Sequence, residues 1–101
     1  MILYNVTVNV DIDIEQEWTH WMKTHHIPNV ISTGQFIDYK IYKLLNEQEN
    51  EGTTYSIQYF AKSLTELNLY FEKYAPALIQ EHLDRYRHKH VAFRTVLEEV
   101  V

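Results

Sequence analysis

Residues 1–10 read Met-Ile-Leu-Tyr-Asn-Val-Thr-Val-Asn-Val (MILYNVTVNV), and their alternation decides the fold. Side chains along a strand point to opposite faces in turn, so Ile2, Tyr4, Val6, Val8 and Val10 share one face and Leu3, Asn5, Thr7 and Asn9 the other. The first row is apolar; the second is mostly amide and hydroxyl. Such a strand belongs to a sheet packed on one side only.

Working outward, Asp13 and Gln16 have the spacing of a capping box, and Ile14, Trp18, Trp21, Met22 and His25 then recur on one face of a 3.6-residue period. This predicts a helix whose stripe faces the core. Pro28 disfavours helical geometry at Ile27, so the helix is expected to stop or kink there, with a short further turn up to Gly34. Phe36–Leu45 and Thr53–Ala61 read as strands around the turn-prone Asn46–Gly52, a β-hairpin. Ser63 and Glu66 form a second capping box, and Leu64, Leu67, Phe71, Tyr74 and Leu78 make a stripe that Pro76 bends, giving a helix in two pieces. Arg85–His90 places positive charge at that helix's end, and Val91–Val100 returns to strand.

The order is therefore β-α-β-β-α-β, the signature of an α+β, ferredoxin-like fold: one domain over residues 1–101, a four-stranded antiparallel sheet with two helices on one face. The expected core joins Tyr4/Val6/Val8, Ile37/Tyr39/Ile41, Tyr55/Ile57/Tyr59 and Val91/Phe93/Thr95/Leu97 to the Trp18/Trp21/Met22 and Leu67/Phe71/Tyr74 stripes. The opposite face is left to Leu3, Asn5, Thr7 and Asn9, to Phe36, Asp38, Lys40 and Tyr42, to Ser56, Gln58 and Phe60, and to Ala92, Arg94 and Val96.

That uncovered face amounts to roughly 450 Å² of projected sheet. A second copy laid on it about a twofold axis would give an interface near the usual ~800 Å² per partner, so a homodimer of α/β-barrel type is expected. Asn5, Thr7, Gln58 and Arg94 would then surround a shared lumen, either as a network bonded within itself or as a small-molecule or anion site centred on Arg94.

Composition bounds the rest. The net charge is −5, which gives no general attraction to nucleic acid. The chain has no cysteine, which excludes thiol chemistry and fits a reducing, cytoplasmic setting. No apolar run is long enough to span a membrane, and Met1 leads straight into a strand rather than a leader-type segment.

Several short stretches together resemble the small bacterial domain of unknown function family 4286: Tyr4-Asn5-Val6-Thr7, Trp18 with Trp21-Met22, His26-Ile27-Pro28, Thr33-Gly34 with Phe36, Tyr55-Ser56 with Gln58-Tyr59, Ala75-Pro76, and Val91-Ala92-Phe93-Arg94-Thr95. The resemblance implies a ferredoxin-like protomer and dimerisation, and it carries no catalytic residue or cofactor to transfer. The architecture is also similar to that of antibiotic-biosynthesis monooxygenases and haem-degrading enzymes, which place Asn, Trp and His around a pocket. Here Asn5 turns away from the helices and Tyr55 and Tyr59 stand where a Trp is wanted, although His82 lies in the second helix.

Among single residues, His26 beside Pro28 is either a proton-transfer group in a pocket bounded by Trp21 or a ring satisfying the interrupted backbone. His20, His25 and His26 lack the i, i+4 pairing that binds zinc, and His88 and His90 share a face only if that stretch is extended. Arg85, Arg87 and Lys89 form the one basic cluster, read as helix-end charge. Glu47, Glu49 and Glu51 read as a solvated turn. With two glycines there is no phosphate loop, and Ser32, Ser56 and Ser63 have no nucleophile-elbow context. No catalytic constellation, metal site or cofactor site emerges. The reading is a homodimeric binding or structural module, with a small-molecule enzyme of the monooxygenase-like or haem-binding type as the alternative.

Overall fold

A computed structural model describes residues 1–46 and 52–101. Strand β1 (Ile2–Val10) leads through one 3-10 turn (Ile12–Ile14) into helix α1 (Glu15–Trp21), a π-helical turn (Met22–His26) and α2 (Ile27–Ser32). Strands β2 (Asp38–Lys43) and β3 (Thr53–Ala61) follow, then α3 (Leu64–Lys73), α4 (Ala75–Arg85) and β4 (His90–Glu98). The sheet order is β2-β3-β1-β4 and every pair is antiparallel, as the β-α-β-β-α-β order requires. The reading of Glu47, Glu49 and Glu51 lies outside the described residues.

The period-2 pattern of β1 is realised: Ile2, Tyr4, Val8 and Val10 are buried under the helices, opposite Ala61, Tyr59, Tyr55 and Thr53 of β3. Trp18, Trp21, Met22, Ile27 and Val30 from the first helical layer and Leu67, Tyr70 and Ala75 from the second complete the core. Fully burying each large side chain contributes on the order of 2 kcal/mol, so this one layer supplies most of the driving force.

The pattern goes astray where strands lie at the edge or helices are irregular. Phe36 precedes β2 rather than belonging to it, and it turns inward to stack on Tyr4, centroids 6.2 Å apart. Ile37 and Tyr39, expected in the core, are exposed on the edge. The Asp13–Gln16 capping box does not form: the 3-10 turn intervenes, and the Asp13 carboxylate accepts from Lys89 Nζ at 3.0 Å. The second capping box does form, with the Ser63 hydroxyl accepting from the Thr65 N–H and donating to Glu66. As expected, Pro76 divides the second helix, because it offers no N–H; Tyr70 takes the inward place, while Leu64 and Tyr74 are exposed.

Pro28 does not stop the helical segment, which continues as α2 to Ser32. Ile27 keeps helical angles (φ −61°, ψ −45°), and its N–H bonds to the Met22 carbonyl five residues back. The wider turn absorbs the irregularity one turn upstream of the proline. It also rotates the end of the helical layer, so His26 and Ile27 face inward and His25, expected on the inner stripe, is exposed.

Candidate functional site

Strand β4 pairs with β1 so that Val6 stands opposite Arg94, Val8 opposite Ala92 and Tyr4 opposite Val96. Ala92, Arg94 and Val96 therefore face the helices, and Val91, Phe93, Thr95 and Leu97 lie on the helix-free face. This reverses the sequence-based assignment of β4. The misleading signal is the apolar odd-numbered row, which resembles a core row and is instead open to solvent: Val91 is 70% exposed and Phe93 61%.

The reversal separates the six candidate residues into two groups. Asn5, Thr7 and Gln58 stay on the helix-free face, where Asn5 Nδ2 donates to Thr7 Oγ1 at 3.1 Å, Ser56 Oγ donates to Asn5 Oδ1 at 2.6 Å and Gln58 Nε2 donates to Ser56 Oγ at 3.4 Å. They form a polar network bonded within itself. Arg94 lies on the other side of the sheet with His26 and Trp21, so it does not join Asn5, Thr7 and Gln58 around the expected lumen.

On that side a cavity of about 20 Å³ lies between sheet and helices. Tyr4, Tyr59 and Tyr70 supply phenols to its lining, His26 and His82 imidazoles, and Arg94 a guanidinium. The helical irregularities position these groups. The π turn delivers His26, while His82 follows Leu78 by four residues on the inward stripe of α4. Trp18 Nε1 donates to His82 Nε2 at 2.9 Å; an indole can only donate, so that nitrogen is unprotonated and the neutral ring carries its proton on Nδ1. His90 packs edge-on against His82 at 4.5 Å, and Trp21 stacks on His26 at 5.2 Å.

Burial holds both cavity imidazoles neutral, lowering His82 to about 3 and His26 to about 4, with the Arg94 charge acting in the same direction. The Tyr70 phenol is raised by burial, as is Tyr4, though hydrogen bonding and charge from Arg94 pull Tyr4 back. His26 Nδ1 is buried and has no hydrogen-bond partner among the described residues. At physiological pH the cavity thus holds neutral imidazoles and phenols beside one cation.

The basic cluster is neutralised: Arg85 pairs with Glu17 (3.2 Å), Arg87 with Asp84 (2.6 Å) and Lys89 with Asp13 (3.0 Å). His88 sits in a turn at φ +67° outside β4, so it shares no strand face with His90. Among the described residues no three metal-ligating side chains converge, and no helix is long and apolar enough to cross a membrane. Sequence reasoning passed over His82 and the three tyrosines as site residues. The i, i+4 relation of Leu78 to His82 is the signal that finds the histidine; the tyrosines carry no mark distinguishing a cavity wall from a core.

Comparison with curated protein sequences finds no match. Among solved structures, HapK from Hahella chejuensis superposes with a TM-score of 0.73 at 7% identity, covering 99% of this chain and 93% of its own. A putative antibiotic biosynthesis monooxygenase from Nitrosomonas europaea gives 0.70 at 10% identity over 100% of both chains. A dimeric ferredoxin-like protein from an uncultured marine organism gives 0.65 at 14% identity, covering 99% of this chain and 96% of that one. These likenesses establish the ferredoxin-like fold. The model of DUF4286, a domain of unknown function, matches residues 1–100, and the chain belongs to that family.

Proposed function

We propose that the chain is a homodimeric, cytoplasmic small-molecule-binding module, with its ligand in the cavity between sheet and helices and a second copy seated on the helix-free face. The buried, unpartnered Nδ1 of His26 carries the ligand reading. Folded proteins pair nearly all buried polar atoms, so an orphan on a residue lining a cavity marks a place where something else supplies the bond. Arg94, His26 and the Tyr4 and Tyr70 phenols are the binding groups in this reading, and Trp21 backs His26. Asn5, Thr7 and Gln58 belong to the subunit interface.

The dimer reading is supported by the exposed row Val91, Phe93 and Leu97, continued across the sheet by Tyr42, which is 52% exposed. Static light scattering should return twice the chain mass at micromolar concentration. Phe93→Glu should give a monomer while Lys62→Ala leaves the dimer intact; a monomeric unaltered protein would end the idea. For the cavity, isotope-labelled protein screened with small neutral, acidic and basic compounds should show saturable shifts at His26, Ile79 and Ala92. Shifts confined to the helix-free face, or none, would remove the ligand reading.

A haem-dependent enzyme fits these residues poorly. The cavity is far smaller than a macrocycle, His82 Nε2 is already engaged by Trp18, and Asn5 lies across the sheet.

A further inference from the structure

We infer that the cavity's ligand is a small organic monocarboxylate, its charged end held by Arg94 with the Tyr4 and Tyr70 phenols and its remainder reaching towards His26. The inference rests on the cavity reading above and adds the chemical class.

Charge is the first argument. The chain carries three arginines, of which Arg85 and Arg87 have carboxylate partners within 4.0 Å. Arg94 has none among the described residues, although the chain holds five more acidic than basic side chains. None of the cavity-lining residues is acidic. The Arg94 guanidinium beside the neutral rings gives the lining a positive charge that no acidic lining residue among the described residues offsets, the Glu81 carboxylate acting on His26 from outside the lining.

Donor chemistry is the second argument. A guanidinium only donates, a phenol donates readily, and the neutral His82 ring has its N–H on Nδ1, so the lining offers mostly donors. A cation finds no anionic ligand there. A phosphate dianion brings more charge than one guanidinium offsets, whereas a monocarboxylate matches it and can accept from the fork in bidentate fashion. The unpaired His26 Nδ1 stands ready for one hydrogen bond from elsewhere on the same molecule.

Size is the third. About 20 Å³ is room for little more than one water, so the ligand is a matter of a few heavy atoms unless a wall moves. The movable wall is Arg94 itself, exposed on the edge strand β4, whose long stem can swing outward and close again over the bound acid.

The test compares acetate and benzoate with acetamide and benzamide, which keep shape and lose charge, by side-chain NMR at pH 7. Carboxylates should bind at least tenfold more tightly than the amides, with shifts at His26 and Arg94. Bound carboxylate should also raise the His26 pKa, since a nearby negative charge favours the imidazolium. Arg94→Gln should erase the preference, Arg87→Gln should preserve it, and Tyr70→Phe should weaken carboxylate binding severalfold, each with unchanged circular dichroism. Amides binding as well as acids in the same cavity would overturn the carboxylate assignment and leave the ligand reading standing. Carboxylate preference that survives Arg94→Gln would overturn the role of that residue and with it the inference. If no compound of either series shifts the cavity resonances, both readings fall.

Discussion

Trp18 and His82, 64 residues apart, are joined by an indole-to-imidazole hydrogen bond of 2.9 Å inside the core, the former wholly buried and the latter 5% exposed. The bond fastens the first helical layer to the second. It also fixes the tautomer of a ring lining the cavity, so one contact serves both packing and site chemistry.

Replacing Trp18 by Phe removes the donor and part of a fully buried side chain, leaving His82 Nε2 without that bond. We expect a loss of roughly 2 to 4 kcal/mol in chemical denaturation, the sum of an orphaned buried acceptor and lost packing. The His82 pKa should rise, because the donor that favoured the neutral ring is gone. An unchanged His82 titration in the Trp18→Phe protein would show that the bond does not control the ring.

Acid sensitivity follows from the same burial. His82 titrates near 3 in the folded chain against 6.5 for the free side chain, so between those values the unfolded state binds the extra proton. Stability is fully present above about 6.5 and declines as pH falls towards 3, by up to roughly 1 kcal/mol per pH unit from this group. His26, lowered to about 4, adds a second loss over a narrower window. His82→Gln, which keeps an acceptor for Trp18, should flatten the dependence; denaturation midpoints between pH 4 and 7 measure it, and parallel curves for the two proteins would contradict the assignment.

The two glycines should respond unequally to alanine. Both have positive φ, +81° at Gly34 and +78° at Gly52, so each substitution carries a strain of about 1 kcal/mol. A Cβ at Gly34 meets nothing within 4 Å, but at Gly52 it would approach the Val10 carbonyl to 2.6 Å and Asn9 Oδ1 to 2.7 Å. Gly52→Ala should cost at least 1 kcal/mol more than Gly34→Ala in thermal unfolding. Equal losses would mean that the β3 entry can shift without consequence.

The central strands were legible because their two faces differ in polarity and each is paired on both sides: β1 and β3 run where alternation put them. The edge strand β4 alternates just as clearly, yet its parity was inverted. Period-2 reading finds two faces and says nothing of which cover each receives; here the more apolar row Val91, Phe93 and Leu97 is exposed and Arg94 faces the cavity. Likewise the inward turn of His26 and the outward turn of His25 go with the π-helical turn Met22–His26, which a 3.6-residue period does not register. The site was thus half readable. Trp21 lies on the helical stripe that the period marked and Asn5, Thr7 and Gln58 on the sheet face assigned to them, whereas His26 and Arg94 are drawn to the cavity by features the periodic code omits.

The placement of β1 between β3 and β4 has a consequence for biosynthesis. Ile2 pairs with both Ala61 and Glu98, so the earliest of the four strands to leave the ribosome waits for the fourth. Until β4 emerges, the nascent chain carries a half-dressed strand with an open ladder, the kind of edge that invites stray pairing, and closure of the sheet comes late in synthesis or after it.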